Sequence, residues 1–412
     1  MSNPRFLSLA CVLSALLAAP SAVRAESAIE VHIKNPVAVD RPDTLIRVPL
    51  ANLLPAGAKA PQAWEADADK MPVPAQIYGQ ELLLLLNLAP NQERVVRLLP
   101  LPNGPAPRVI ARAQTDLAVR VGGTKEGKVW SGGKLENVTS HSVGPDHWEH
   151  DDTLAHEGPG FESDRAAYRF YLDRRAVTDL FGKKRPELVM HNVGHGADYH
   201  TMADWGMDVL HVGDSMGDGG IGVWKDGKAR FIGPAKNLTA TEIANGPIFA
   251  GYDVKAEGLS FGVRSYDLDA TYTIAAGSRL FEVEAKAKGS APLVAGIVKH
   301  TGVSVLTPAV KDRAWAYFAT WGHQSLADPS DELGLAFFYP VADVKVGGDD
   351  GDSLYVAYPD NAKPIHFFAG AAWKQELGGV TDEAGFHRYL EDTAEALSHP
   401  PLVTIDPVRP SH

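Results

Sequence analysis

The chain has 412 residues and a formal net charge of −12, with 39 basic against 51 acidic side chains. This acidic balance excludes the basic surface with which proteins bind nucleic acid, so we expect no nucleic-acid partner. Beyond the N-terminal segment, no run of about 18 apolar residues is present, so we expect no membrane span.

Residues 1–25 are typical of a secretory signal peptide. Arg5 supplies the positive charge, residues 6–17 are apolar, and residues 23–25 fit a cleavage site of small residues. Cys11, the only cysteine, lies inside this segment, so the mature chain offers neither disulfides nor thiolate metal ligands. We therefore expect a bacterial protein that is periplasmic or secreted.

Residues 26–107 are predicted to form a small N-terminal β domain. Apolar and polar residues alternate over 28–33, the pattern of a half-buried strand. Five consecutive leucines at 82–86 indicate a strand buried on both faces, and a turn leads from it into another strand at 93–99. Four prolines between 100 and 107 indicate a linker.

Residues 108–412 are predicted to form a large antiparallel β-sandwich, so the fold class is mainly β. Short strand-like runs such as 167–172 and 280–285 recur between Gly, Asp and Pro residues, without the alternating helices of parallel sheets. One C-terminal helix is predicted over 381–398, with Thr381 as its N-cap and two prolines after its last turn.

Histidine is concentrated in one part of the chain. Neutral imidazole is a common metal ligand and carboxylates lie nearby, so a divalent cation is one explanation. However, no zinc-protease histidine pair on a helix is present, and the metal stays open. Eight of the fifteen histidines fall in one stretch of the sequence: His141, His147, His150, His156, His191, His195, His200 and His211.

Asp198, Tyr199 and His200 place a carboxylate, a phenol and an imidazole in consecutive positions. Phenol and imidazole groups can remove a proton beside a carboxylate and assist a leaving oxygen, which is the chemistry of β-elimination on uronic acids. We therefore predict that Tyr199 and His200 transfer protons and that His195 orients the substrate or binds a metal. Alternatively, Tyr199 points away from its neighbours on a strand and Asp198 caps a turn.

A second group of candidates precedes the strand at 167–172. Glu162 is a candidate acid or base if it is partly buried, and Arg165 and Arg169 have the forked donors that hold a carboxylate. The alternative is a set of surface ion pairs at the start of a strand. Lys183 and Lys184 are predicted to lie in a solvated turn without a functional role.

Further substrate-binding candidates follow from polar and aromatic groups along the chain. Lys299 is expected to hold a carboxylate together with Arg165, and His300 is expected near aromatic side chains that stack on sugar rings. A single tryptophan is nevertheless more often part of a core than of a cleft. The predicted substrate-binding set is Arg165, Asp198, Trp205, Asp208, Lys299 and His300.

Two long segments, residues 158–184 and 198–222, resemble hallmark segments of the bacterial family called domain of unknown function 4861. The resemblance covers nearly all of the mature chain. It implies a secreted protein encoded among genes for degrading pectin or other uronate-containing glycans, and a supersandwich similar to the galactose-mutarotase superfamily. The resemblance does not identify catalytic residues. Asp214 and Asp218 differ from the residues expected at these positions, so a bound cation near them is an open alternative.

Three hypotheses follow, all with an oligosaccharide as substrate or ligand. The first is an enzyme that acts on uronate-containing oligosaccharides by β-elimination or dehydration. The second is a glycoside hydrolase that uses paired carboxylates such as Glu162 and Asp208. The third is a non-catalytic glycan-binding module with exposed tryptophans and buried histidines. The first requires that Arg165 and His200 face one cavity.

Overall fold

The fold is described by a computed structural model that covers residues 28–406 apart from 104, 197 and 360–363. The predicted signal peptide at 1–25 lies outside the described residues. The described chain consists mainly of antiparallel strands with two α-helices, which confirms the predicted mainly β fold class. In this part of the chain, neither helix has the length and apolar character that crossing a bilayer requires.

The N-terminal sheets are held together by the leucine run. Leu82 and Leu84 face the core between these sheets, whereas Leu83 and Leu85 pack with Phe249 of the large sheet. The predicted burial on both faces is therefore confirmed. The five-stranded N-terminal sheet has the order Leu402–Ile405, Ile29–Lys34, Glu93–Leu101, Ala63–Ala68, Met71–Pro72. The three-stranded sheet has the order Arg41–Pro49, Glu81–Leu88, Ala75–Tyr78. A short helix spans Leu50–Leu53.

The end of the described chain returns to its beginning. Strand Leu402–Ile405 pairs antiparallel with Ile29–Lys34, so it completes the first sheet. The domain boundary at 107 stays a prediction, because the two regions also share the Leu83 and Phe249 contact.

The remaining chain forms a sandwich around an aromatic core. The Phe281 ring lies 4.7 Å from that of Tyr168 and 5.5 Å from that of Phe161, and such large rings bury much apolar surface. The nine-stranded sheet has the order Ser140–Val143, Asn237–Asn245, Phe249–Phe261, Arg264–Ala275, Leu280–Gly289, Ile365–Trp373, Leu333–Pro340, Trp315–Gly322, Ser304–Leu306.

Two five-stranded sheets pack against the nine-stranded sheet. One has the order Gly206–Asp208, Thr178–Lys183, Ala167–Phe170, Gly160–Ser163, Ala113–Asp116. The other has the order Lys228–Phe231, Asp218–Lys225, Leu293–Val298, Ser353–Ala357, Val346–Asp349. The described elements also include two two-stranded ribbons, which pair Ala118–Val121 with Lys134–Asn137 and Thr124–Glu126 with Val129–Ser131. Two 3₁₀ turns span Met190–Asn192 and Val341–Asp343.

The C-terminal helix spans Glu383–Ser398 and covers the outer face of the nine-stranded sheet. Phe386 packs there against Trp321, with ring centroids 5.3 Å apart. The predicted N-cap is wrong by one residue: Asp382, not Thr381, caps the helix. Asp382 has an extended backbone, and its carboxylate accepts a 2.6 Å hydrogen bond from the backbone N–H of Gly385.

Candidate active site

A cleft of about 680 Å³ opens beside the smaller ribbons and the loops that follow them. One wall comes from the loop before strand Gly160–Ser163, and another from the loop before strand Gly206–Asp208. Segments that are distant in sequence therefore line one cavity. Its histidines are His147, His150, His195 and His200.

Each of these four histidines faces a different carboxylate. A carboxylate behind an imidazole fixes the orientation of the ring and decides which nitrogen is left for the cleft. The partner carboxylates are buried or nearly so. The pairs are His147 Nδ1 with Asp151 at 3.4 Å, His150 Nδ1 with Glu157 at 2.6 Å, His195 Nε2 with Asp116 at 3.8 Å, and His200 Nδ1 with Asp208 at 3.4 Å.

Asp208 belongs to a buried cluster around one arginine. The Arg169 guanidinium lies 2.7 Å from Asp208, 2.6 Å from Asp179 and 3.3 Å from Glu157, so one fixed cation faces three carboxylates. Burial and the charge of Asp179 raise the pKa of Asp208 to about 8. Asp208 therefore accepts a proton more readily than an ordinary carboxylate, and His200 connects it with the cleft.

Asp116 has a different environment. It accepts a 2.8 Å hydrogen bond from the Asn137 amide, and His156 Nε2 lies 3.2 Å from its other oxygen. Burial favours the neutral carboxyl, but the hydrogen bond and charge of His156 outweigh burial and hold the pKa of Asp116 below its ordinary value. Asp116 is therefore an anion at neutral pH.

Arg120 lines the cleft and offers an unneutralised charge. Its guanidinium donates to the backbone oxygens of Asp152 and Gly132, each at 2.7 Å. Among the residues that the structure describes, none forms an ion pair with it. Such a guanidinium can hold the carboxylate of a ligand in a forked arrangement. The sequence analysis missed Arg120 because it lies in a short strand without a motif around it.

Asp198 and Tyr199 also line the cleft, but their polar atoms are used within the fold. Asp198 accepts from the His200 N–H at 2.9 Å and the Thr201 hydroxyl at 2.6 Å, which is the turn cap considered as the alternative. The Arg169 guanidinium lies 5.2 Å from the Tyr199 ring centroid, and burial raises the pKa of the phenol. Its role in proton transfer stays a prediction.

Trp205 lies behind the cleft. Its ring packs against Phe181, with centroids 6.2 Å apart, in the same small cluster as Tyr199. It does not line the cleft as the predicted stacking surface for a sugar would.

Glu162 is fully buried, which overturns its prediction as acid or base. Its carboxylate accepts hydrogen bonds of 2.6 to 2.7 Å from Lys183, Gln114 and the backbone N–H groups of Val189 and Met190. It therefore has no exposure to a substrate, and both of its oxygens already accept hydrogen bonds within the fold. The prediction of a solvated Lys183 is wrong as well, because this ammonium is the buried partner of Glu162.

Three predicted substrate-binding residues lie away from the cleft. Arg165 pairs with Glu376 at 3.3 Å in a separate small cavity. Lys299 follows strand Leu293–Val298 of the other five-stranded sheet and pairs with Asp349. His300 bonds to Gln324 and to the His211 carbonyl oxygen. The expectation that Arg165 and His200 face one cavity is therefore wrong, and Lys299 and His300 do not line the cleft either.

Possible cation ligands are grouped elsewhere. In the described part of the chain, only two sets of three ligand atoms lie within 4.8 Å of one another, Glu30 with His32 and Asp406, and Glu282 with Glu284 and His366. Neither set lines the cleft. Asp218 is fully buried, and burial raises the pKa of its carboxyl well above the ordinary value. A divalent cation stays a prediction.

Comparison with known proteins places the chain in a family. The family model described as "Domain of unknown function (DUF4861)" matches residues 33–403. The chain belongs to the DUF4861 family. One curated relative of this DUF4861 protein is "Uncharacterized protein P7" of Formosa agariphila, 26% identical over 214 residues, which are 50% of this chain and 52% of that protein.

Two solved structures resemble the DUF4861 chain at low similarity. An alpha-mannosidase from Enterococcus faecalis has a TM-score of 0.45 and 11% identity, over 93% of this chain and 46% of that one. A protein in glycosyl hydrolase family 38, also from Enterococcus faecalis, has a TM-score of 0.41 and 10% identity, over 93% and 48%. The chain thus spans about half the length of each of these three proteins.

Proposed function

We propose that the DUF4861 protein is an enzyme that acts on uronate-containing oligosaccharides by β-elimination, expelling either a sugar alcohol or water. The observation that carries the proposal is the arrangement of His200, Asp208 and Arg120 at one cleft. His200 is an exposed imidazole with a buried carboxyl behind it, and Arg120 is a guanidinium without an ion-pair partner among the described residues.

β-Elimination on a uronate requires a base and a cation at defined places. The base removes the proton from C5, beside the carboxylate, and the cation stabilises the negative charge that develops on that carboxylate. Arg165 lies away from the cleft, so the proposal gives its predicted role to Arg120, which has the forked donors for the carboxylate. His200 turns Nδ1 towards Asp208, which leaves Nε2 for the C5 proton.

Asp208 adds proton affinity behind His200. Because burial and Asp179 raise the pKa of Asp208 to about 8, this carboxyl can take up the Nδ1 proton as Nε2 gains the substrate proton. Ordinary carboxylates are weaker bases. The carboxyl can accept this proton only in its ionised form, so the dyad is suited to removing a proton from carbon at pH values above about 8.

The other two hypotheses have less support. Hydrolysis by paired carboxylates needs both groups at an open cleft, and Glu162 is buried with four hydrogen bonds. A binding module predicts exposed tryptophans and buried histidines; Trp148 is exposed and His156 is buried, but Trp321 is buried and His200 is exposed at the cleft. Export to the periplasm or medium is proposed on residues 1–25 alone, and fractionation of the native host checks it.

The test compares matched uronate oligosaccharides and their carboxyl-reduced counterparts. We expect the ultraviolet absorbance of an unsaturated uronate to rise only with the acidic sugars, and the His200→Gln variant to be inactive. His211→Gln, a change at an exposed histidine outside the cleft, serves as the control. No unsaturated product from any acidic sugar that the protein binds would overturn the proposal.

A further inference from the structure

We propose that His195 is the general acid of this elimination, and that Asp116 and His156 are the positioning residues that hold its charge. The inference rests on the proposed function and extends it, since the elimination needs a proton for the leaving oxygen. It is carried by the contacts of Asp116 and by the place of His195 on the cleft that His200 also lines.

His195 is placed to serve substrate on one side and a carboxylate on the other. Its side chain is 24% exposed and lines the cleft, and its Nε2 lies 3.8 Å from Asp116. This contact leaves Nδ1 as the nitrogen for the substrate. His195 and His200 thus form two imidazole–carboxylate pairs at a single cavity, as an acid and a base require.

Asp116, the carboxylate that faces His195, has no lysine or arginine partner among the described residues. Within the described residues, the only basic groups that face Asp116 are the imidazoles of His195 and His156, and its remaining partner is the neutral Asn137 amide. The carboxylate behind His150 is different, because Glu157 also pairs with Arg169 and Arg175. Asp116 is therefore free to stabilise a positive charge on an imidazole.

His156 is the buried imidazole beside Asp116. Its side chain is fully buried, its Nε2 faces Asp116 at 3.2 Å, and its Nδ1 has no hydrogen-bond partner among the described residues. His156 therefore contacts Asp116 through Nε2 and does not line the cleft. Of the two imidazoles that face Asp116, only His195 can deliver a proton to a substrate.

The different surroundings of Asp116 and Asp208 favour an acid role for His195 and a base role for His200. His156 holds Asp116 in the ionised form, whereas burial and Asp179 favour the protonated form of Asp208. An anion behind His195 favours the protonated ring that an acid needs, and a basic carboxyl behind His200 favours proton uptake. Neighbouring groups with opposite electrostatics commonly divide the acid and base roles in this way.

The step balances without a further reactant. His200 Nε2 takes the C5 proton, and the electron pair of the C5–H bond forms the C4=C5 double bond. The bond from C4 to the leaving oxygen breaks with its electron pair on oxygen, which takes a proton from His195 Nδ1. One imidazole has gained a proton and the other has lost one, and exchange with water restores both.

Two rival donors line the same cleft. Tyr199 is the donor that the sequence suggested, but burial raises the pKa of its phenol. His147 also faces a carboxylate, Asp151, that has no arginine partner among the described residues, but only 12% of the His147 side chain is exposed. A test of the acid must therefore include both residues.

The test uses two substrates of the full-length protein: a uronate oligosaccharide, and its analogue with fluoride at C4, which departs without a proton. We expect His195→Gln to lose about 10²- to 10⁴-fold in kcat/KM on the oligosaccharide and little on the fluoride. His200→Gln should lose activity on both. An equal loss by His195→Gln on both substrates overturns the proposal, as does fluoride-selective retention by Tyr199→Phe or His147→Gln instead.

Asp116→Asn tests the positioning role by its pH–rate profile. Among the described residues, His156, His195 and Asn137 contact Asp116, and the buried Tyr252 phenol also senses its charge. Removing its charge deprives a protonated His195 of its counter-ion, so the alkaline limb of kcat/KM should move to lower pH. A lower rate with an unmoved limb overturns this role. A wild-type protein that is inactive on both substrates overturns the proposed function itself, and this inference with it.

Discussion

His200 Nδ1 lies 3.4 Å from the Asp208 carboxylate, yet the imidazole side chain is 61% exposed and the carboxyl side chain only 3%. The pair therefore links the cleft with a buried charge cluster. Arg169 faces Asp208, Asp179 and Glu157 at hydrogen-bond or ion-pair distance, and among the described residues only Glu157 of these three pairs with a second arginine, Arg175. A cluster with more carboxylates than cations is stabilised when it takes up a proton, because the proton reduces the repulsion between the carboxylates. His200 is the group through which a proton from the cleft can reach this cluster.

Replacing Asp208 with Asn should slow the chemistry while leaving substrate binding nearly unchanged. The amide keeps the shape of the side chain but cannot accept the Nδ1 proton, so we expect kcat to fall by about 10²-fold or more. Steady-state kinetics on a uronate oligosaccharide measure the effect. Asp204→Asn is the control, because Asp204 is 93% exposed on its side chain. A raised KM with an unchanged kcat would contradict the account.

The stability of the protein should depend on pH through Asp208. Its folded pKa of about 8 lies above the ordinary 3.8, so the folded state binds the extra proton between these values. The stabilisation is complete below pH 3.8 and is lost as the pH rises through about 8. Thermal unfolding of wild type and Asp208→Asn should therefore diverge in favour of the variant as the pH rises. A constant difference in Tm across this range would contradict the shift.

Arg120→Gln should weaken the binding of acidic sugars alone. Loss of a charged hydrogen bond costs about 1.5–3 kcal/mol, which corresponds to roughly 10- to 100-fold in Kd. Calorimetric titration with a uronate oligosaccharide and its carboxyl-reduced counterpart separates this effect from general damage. Arg185→Gln is the control at an exposed arginine. An equal loss for both sugars would show that Arg120 does not contact the carboxylate.

Lys183→Met should destabilise the fold without a specific effect on catalysis. The ammonium is buried with Glu162, and removal of one partner leaves an unpaired charge, at a cost of about 3–5 kcal/mol. Urea unfolding measures this loss. Adding Glu162→Gln should recover part of it, and Lys184→Met should change little. A variant as stable as wild type would argue against the buried pair.

Asp382→Ala should cost about 0.5–2 kcal/mol in the free energy of unfolding, because the Gly385 N–H loses its acceptor at the start of the C-terminal helix. Thr381→Ala is the matched control. The same urea unfolding experiment compares the two. A larger loss from Thr381→Ala would restore the cap that the sequence suggested.

Strands and helices with a clear pattern in their own residues could be predicted from the sequence. Leu82–Leu86 alternate between two cores, so a continuous apolar run in a short segment was sufficient to predict a strand buried on both faces. The helix near Phe386 was predicted from its apolar spacing, and the error at its cap is one residue because Thr381 and Asp382 are both good capping residues.

Contacts between residues on distant strands could not be predicted from the sequence. Nothing beside Lys183 indicates that Glu162, two strands away in the sheet, buries its ammonium. The density of histidines did point to the cleft, but Asp116 and Arg120 carry no local signal and reach it only through the sheet and ribbon. Arg169 offered a weak signal, since an arginine inside an apolar strand needs buried acids around it.

The most direct test is mass spectrometry of the products formed from one uronate oligosaccharide by wild type and by His200→Gln. Elimination at a glycosidic bond gives one product that is a water molecule lighter than the corresponding hydrolysis product, and dehydration gives an intact oligosaccharide lighter by the same mass. The account predicts one of these unsaturated products from wild type and none from the variant. Saturated fragments from wild type, or undiminished unsaturated product from His200→Gln, would contradict it.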